Sequence, residues 1–524
     1  MLYAKIYLVN NNTKEINMSH NLKLVNTGLA KIREMNPRLM SYNVEMTEVT
    51  GGTFWKAYTE GQIAGTEEFP RLEGGFTNHT AMAGLMQYYP PIDTTSEKLI
   101  SLAREFGSVW VRVSGTWATK TYYDFDGTTG GKAPEGYQSV LTREQWANIL
   151  AFVKAVDAKL LVSASNCAGD HKDGGPLDLT QIKKLFALTD ELGGSIDAFE
   201  FMNEPNMLQT SGAPIGYDFP DYVRDQDIAN AWVRENYPDC LIVGPCNTGM
   251  TDVESTNDQL AKMGSGMGSM MKMGTVHDLM RGATVPMDVY SYHYYNGISE
   301  RLMSIMPTGH WPAEAAHTDA YLAVAPGICY MNLGPRDKYV PGGEMWVTES
   351  GDAGGGGDTW ASTYLDVLRT LNELGSFSTL TNGVIFHNTL ASSDYGFLAH
   401  GSFDPRPNYF AALLWTRLMG DTVYACENPN TEGAHVYCHS RKDGKDGYAY
   451  LIVNNSLTDA TALELPGEAE IYELSGNGNM RSKVMYLNGE ALVLGENNEL
   501  PALAGRKATG KVDIAPGACA FVLI

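Results

Sequence analysis

Two glutamates stand at the ends of short apolar runs, in Phe201-Met202-Asn203-Glu204-Pro205-Asn206 and in Met345-Trp346-Val347-Thr348-Glu349-Ser350. An apolar run that closes on an acid reads as a strand leaving a buried sheet, with a carboxylate delivered at its C-terminal tip. Two such carboxylates facing one pocket have the chemistry to cut a glycosidic bond. One donates a proton to the leaving oxygen, and the other attacks the sugar or steers a water. The tripeptide Asn203-Glu204-Pro205 is weak by itself; the second strand-end glutamate, later in the chain, makes the pair informative.

What must position these acids is legible as an alternation. The short apolar runs Ser41–Met46, Val109–Val113, Lys159–Ser163, Ala198–Met202, Leu241–Gly244, Asp288–His293, Met345–Thr348 and Gly383–His387 are separated by longer stretches. Ser96–Phe106, Arg143–Ala158, Asp178–Leu192 and Trp360–Leu374 carry apolar residues at three- and four-residue spacing, as amphipathic helices do. Eight strands alternating with helices predict an α/β fold of the (β/α)8 TIM-barrel type, whose site lies at the C-terminal strand ends. Glu204 and Glu349 fall at the ends of strands four and seven.

Beyond about Trp415 the pattern changes to short alternating runs separated by Gly, Asn and Pro, at Val423–Ala425, Ala434–His439, Tyr448–Asn454, Ala469–Leu474, Ala491–Val493 and Ala520–Leu523. These predict an all-β sandwich. The runs Lys5–Val9 and Leu22–Val25 supply further strands, so residues 1–38 and 416–524 are expected to build the sandwich and 39–415 the catalytic barrel. The tail presents no aromatic platform, which favours a structural domain over a separate carbohydrate-binding module. Lys262–Met273, rich in Met and Gly, reads as a connector after strand five, with a plastic apolar wall near the leaving group as the alternative.

The chain has 524 residues, 44% hydrophobic and 19% charged, enough for a large buried core. No run of about 18 apolar residues occurs, which argues against a membrane span. The first residues alternate like a strand and lack the features of a secretory signal; the expected location is cytoplasmic, or a leader has been removed. Seven cysteines, at 167, 240, 246, 329, 426, 438 and 519, are scattered singly and read as reduced structural thiols. With 38 Lys and Arg against 61 Asp and Glu the net charge is −23, which disfavours nucleic acid, anionic membranes and densely sulfated polysaccharides as partners. No His or carboxylate cluster has metal-ligand spacing, and a two-carboxylate mechanism requires no cofactor.

Six motifs run in order through the barrel: Ser41-Tyr-Asn-Val-Glu45, Val111-Arg-Val-Ser-Gly-Thr116, Asn203-Glu-Pro-Asn206, Tyr292-His-Tyr-Tyr-Asn-Gly297, Glu349-Ser-Gly-Asp-Ala-Gly-Gly-Gly-Gly357, and Ser393-Asp-Tyr-Gly-Phe397 followed by Phe403-Asp-Pro-Arg-Pro-Asn-Tyr409. With these motifs the chain resembles glycoside hydrolase family 79, the β-glucuronidases and heparanase, within the clan of retaining enzymes that place Asn-Glu on strand four. The resemblance implies Glu204 as general acid/base and Glu349 as nucleophile, with Arg112 holding the nucleophile charged. It further implies Asn203 on the sugar 2-hydroxyl and Tyr294 touching the nucleophile. Gly355 and Gly356 would bind the glucuronate carboxylate through their N–H groups, assisted by Tyr395. Glu45 would take the remote hydroxyls, joined by Thr116. The match departs at Gly354, where heparanase has a tyrosine.

The expected activity is that of a retaining exo-β-glucuronidase acting on small aryl, flavonoid or short glycan conjugates. A heparanase-like endo-β-glucuronidase is the alternative. Further off stand another retaining β-glycosidase of the clan, such as a xylosidase or glucosidase, and a non-catalytic glycan-binding protein. The oligomeric state is left open.

Overall fold

The apolar runs between Ser41 and Asn388 pair in the order in which they occur. In the computed structural model, which describes residues 20–68, 83–248, 273–303 and 309–524, eight parallel strands close into a barrel. They are Met40–Glu45, Trp110–Ser114, Lys159–Ser163, Ala198–Glu200, Leu241–Thr248, Val289–Ile298, Glu344–Gly354 and Ile385–His387, here barrel strands one to eight. Parallel strands covered on both faces are near-continuous apolar runs, and strand one is buried at every position.

The barrel floor is filled, not open. Trp110, Leu161, Ala198, Val243, Val289, Trp346, Val384 and Phe386 form one buried cluster inside it. The Trp110 and Trp346 rings stand 4.8 Å apart, and Trp346 Nε1 donates to Glu344 Oε2 at 2.8 Å. Polar side chains are therefore confined to the upper half, at the strands' C-terminal ends.

The helices start where their caps allow. Ser96 accepts from Leu99 N–H ahead of Glu97–Arg104. Thr142 and Gln145 form a capping box on Arg143–Ala155. Thr180–Glu191 supplies the third expected helix. The fourth is displaced: it spans Leu365–Leu380 and does not begin at Trp360. The reason is local, since Tyr364 N–H is bound by Ser482 O and the Tyr364 hydroxyl by Leu474 O, which ties this stretch to the C-terminal strands.

Those strands form two sheets joined by both ends of the chain. Lys31–Glu34, Met419–Tyr424, His435–Arg441, Tyr448–Val453, Cys519–Leu523 and Ala469–Ser475 are consecutive neighbours in the larger sheet. Asn21–Lys23 pairs in parallel with Thr461–Glu464 in the smaller one. Lys31-Ile-Arg-Glu34 has no alternating apolar face and escaped the sequence reading; it is held by Met419–Tyr424. The expected strand Lys5–Val9 lies outside the described residues, as does 262–272 of the Met- and Gly-rich segment. Tyr437 joins sheet to barrel by packing on Gly375 and donating to Asn372 Oδ1 at 2.7 Å.

After strand one the chain makes an excursion whose strands Gly52–Trp55 and Met86–Tyr89 pair as an antiparallel hairpin. Among the described residues no helix is long and apolar enough to cross a membrane.

Candidate active site

Arg112, on strand two, organises the polar half of the barrel. Its side chain is fully buried and reaches two acids, with Nη2 2.6 Å from Glu200 Oε1 and Nη1 3.1 Å from Glu349 Oε1. Nη2 also donates to Asn203 Oδ1 at 2.7 Å. Burial disfavours the Glu200 carboxylate, yet Arg112 and the hydroxyls of Ser163 and Ser114 hold it below the ordinary range. A buried cation with these anions around it is a rigid fork, oriented before any ligand arrives.

The two strand-end glutamates do meet. Among the described residues, Glu204, His293 and Glu349 are the set whose carboxylate and ring-nitrogen atoms all lie within 4.8 Å of one another. His293 Nδ1 stands between the acids, 3.0 Å from Glu204 Oε1 and 3.4 Å from Glu349 Oε2. Glu349 additionally accepts from the Tyr295 hydroxyl at 2.7 Å. Burial works against a charged His293, but the Cys246 sulfur and the Glu349 carboxylate outweigh it, and the imidazole lies well above its ordinary pKa.

The backbone makes room for this arrangement in two places. Between strands five and six, Pro245 faces Ser291 and Asn247 faces Tyr292, leaving Cys246 unmatched with φ 58°. Between strands six and seven, Val347 faces Tyr292 and Glu349 faces His293, leaving Thr348 unmatched. Each extra residue is a bulge that re-aims the chain at the rim of the barrel. Glu204 is itself left-handed, with φ 46°, and its N–H donates to Cys246 O at 3.1 Å. Ser211 Oγ then donates to Glu204 O at 2.8 Å, fixing the turn from the other side.

The remaining expected residues surround this pair. Asn203 is buried, with Nδ2 3.5 Å from the Thr116 hydroxyl. Glu45 is buried at the end of strand one, and among the described residues its Oε2 has no hydrogen-bond partner. Burial, and then the Glu349 carboxylate, push the Glu45 carboxyl well above the usual range. A Cβ on Gly115 would lie 1.6 Å from that same oxygen, so strand two passes Glu45 at a distance that only glycine permits. Gly355 and Gly356 follow strand seven with φ 96° and 92°, and among the described residues their N–H groups take no partner. The Tyr395 ring stacks on Tyr295 at 6.3 Å, and Asn388 Nδ2 donates to both hydroxyls, at 3.1 and 2.8 Å.

Tyr294 is a correction. Side chains alternate along strand six, so His293 and Tyr295 share the barrel interior while Tyr294 points outward. It is buried with Tyr292, Cys329, Val347 and Glu373 between strand and helices. The tyrosine on Glu349 is Tyr295. Sequence reasoning also passed over His293, Asn388, Glu200 and Cys246. Alternation counted from either aromatic neighbour would have paired His293 with Tyr295; nothing in the sequence marks Cys246. The seven cysteines are all unpaired, six of them buried.

Glu204, His293 and Glu349 are also the residues that could hold a metal ion. His293 Nδ1 already faces Glu204 Oε1, and Arg112 Nη1 faces Glu349 Oε1.

A filled parallel barrel with two carboxylates this close above its floor is the apparatus of a glycoside hydrolase. No family model matches the chain. Baicalin-β-D-glucuronidase of Scutellaria baicalensis is 29% identical over 251 residues, 46% of this chain and 46% of that relative. Heparanase-like protein 1 of Arabidopsis thaliana is 23% identical over 489 residues, covering 83% of this chain and 85% of the relative. Among solved structures, a 4-O-α-L-rhamnosyl-β-D-glucuronidase from Fusarium oxysporum superposes with a TM-score of 0.63 at 12% identity, over 96% of this chain and 100% of that one. The chain is thus similar to the β-glucuronidases and heparanase-like proteins of glycoside hydrolase family 79.

Proposed function

We propose that the protein hydrolyses β-D-glucuronides by double displacement, releasing one terminal glucuronate at a time. The observation that carries the sugar assignment is the pair of unpartnered N–H groups at Gly355 and Gly356, just beyond Glu349. Backbone donors without a side chain in the way suit a carboxylate, and a neutral sugar would leave them unpaired. Tyr395 completes this end of the site.

In this reading Glu349 is the nucleophile, aimed by Arg112 and Tyr295. Glu204 is the acid/base, with Oε1 on His293 and Oε2 without a partner among the described residues. Carboxyl groups of an inverting pair stand about 6.5–9.5 Å apart to admit a water, whereas oxygens within 4.8 Å suit direct attack on the sugar. Asn203 receives the 2-hydroxyl, a contact that strengthens in the oxocarbenium-like transition state. Glu45, whose carboxyl burial and the Glu349 carboxylate push well above the usual range, takes a remote hydroxyl.

Release of a terminal residue is supported by the hairpin of Gly52–Trp55 and Met86–Tyr89. A Cβ on Gly356 would meet Trp55 Cβ at 2.6 Å, and the Tyr89 ring lies 4.5 Å from His400. The Tyr58 hydroxyl donates to Gly357 O at 3.0 Å. The excursion thus walls the glycine loop, where a polymer running past the sugar needs an open cleft. A net charge of −23 also disfavours a sulfated polyanion. Side-by-side assays of aryl β-glucuronide, β-glucoside and β-xyloside test the sugar, and product lengths from glucuronate-containing oligosaccharides test the mode. Faster turnover of a neutral sugar, or internal cleavage of an oligosaccharide, would discard the respective part.

A further inference from the structure

We infer that Cys246 is a positioning residue: its thiol fixes the tautomer of His293 and thereby decides which oxygen of Glu204 carries the acidic proton. The inference rests on Glu204 being the acid/base, as proposed above.

The sulfur lies 3.0 Å from His293 Nε2. Its other neighbours are Arg112 Nη2 at 3.4 Å and Thr348 Oγ1 at 3.5 Å. Arg112 Nη2 also lies 3.5 Å from His293 Nε2, but its two protons are already given to Glu200 Oε1 and Asn203 Oδ1, at 2.6 and 2.7 Å. That leaves the thiol as the close partner of Nε2. While the ring is neutral the thiol donates to Nε2, and the ring proton resides on Nδ1. Should the thiol proton pass to Nε2, Nδ1 keeps its own.

Either way Nδ1–H is a donor, and the atoms it faces are Glu204 Oε1 at 3.0 Å and Glu349 Oε2 at 3.4 Å. An oxygen that accepts from Nδ1–H does not itself carry a proton toward it. The acid proton of Glu204 is therefore held on Oε2, the oxygen without a partner among the described residues, where a glycosidic oxygen would be met. After glycosylation the same Nδ1–H stabilises the Glu204 carboxylate that must take a proton from water. The unmatched, left-handed backbone of Cys246 is what brings the sulfur into the barrel.

Removing the sulfur takes away the largest influence that keeps the ring charged and frees the other neutral tautomer, in which Nε2 carries the proton and Nδ1 accepts from Glu204 Oε1–H. The protonated acid is then stabilised, but with its proton turned away from the substrate. The charged and titratable groups facing His293, namely Glu204, Glu349, Arg112 and Glu45, are the same in both cases.

The test compares C246A and C246S with the unaltered protein, using phenyl and 2,4-dinitrophenyl β-glucuronides across pH. The expected result for C246A is a kcat on the phenyl substrate about tenfold lower. Its kcat/KM on the dinitrophenyl substrate, which needs no acid, stays the same. The alkaline limb of kcat/KM moves to higher pH, and C246S, which restores a donor, recovers the original profile. Should C246A not fold, C246G removes the thiol and relieves the positive φ. Equal losses on both substrates, or superimposable pH profiles, would overturn the inference. E204A serves as the reference: if it does not discriminate between the two leaving groups, the acid/base assignment fails, independently of Cys246.

Discussion

The Tyr295 hydroxyl donates a 2.7 Å hydrogen bond to Glu349 Oε2, while Tyr294, one residue earlier, is turned out of the barrel. With Glu349 as the proposed nucleophile, this donor steadies its charge before attack and must let go as the glycosyl bond forms. Hydrogen bonds to a charged group contribute about 1.5–3 kcal/mol, so Tyr295→Phe should lower kcat/KM about 10- to 100-fold. Tyr294→Phe should leave it nearly unchanged. Steady-state kinetics of the two variants on one aryl glucuronide check the assignment.

The barrel was legible because its strands are apolar on both faces and its helices are not, and all eight runs became strands at nearly the expected places. The identity of the two strand-end acids was legible for the same reason. What the sequence concealed depends on register. One unmatched residue at Cys246 and another at Thr348 turn side chains inward, and neither bulge has a composition of its own. Asn388 was invisible because its task, donating to Tyr295 and Tyr395 together, exists only once strands six and eight approach. Lys31–Glu34 carries no apolar alternation and becomes a strand through its neighbour.

Glu349→Gln keeps the shape of the side chain and removes the proposed nucleophile. Turnover should fall by about a thousandfold or more, with the far-UV circular dichroism unchanged. Glu204→Ala should slow phenyl glucuronide hydrolysis by about 10²–10⁴-fold. Azide, which needs no general base, should restore turnover in Glu204→Ala and yield the glycosyl azide.

Gly356→Ala places a methyl 2.6 Å from Trp55 Cβ at φ 92°, so the loop must move and its N–H groups with it. KM for aryl glucuronide should rise more than tenfold, with a smaller change for the corresponding glucoside. An equal change for both sugars would separate the glycine loop from carboxylate recognition.

Glu48 is buried beside Glu45 and pushed up by burial to about 8. Its unfolded value is the ordinary carboxylate one, so between the two the folded state holds a proton that the unfolded state has lost. The associated stability is fully present below the ordinary value and is lost as pH rises through about 8. Thermal denaturation should show the melting temperature declining from pH 5 to 9, and Glu48→Gln should flatten that decline.

The geometry of Glu204 and Glu349 is tested most directly by following the anomer first released. Proton NMR of an aryl β-glucuronide at early times should show the β-anomer of glucuronic acid appearing first and then mutarotating, as double displacement requires. The α-anomer appearing first would mean that water attacks directly, and would contradict an account built on carboxylate oxygens within 4.8 Å of each other.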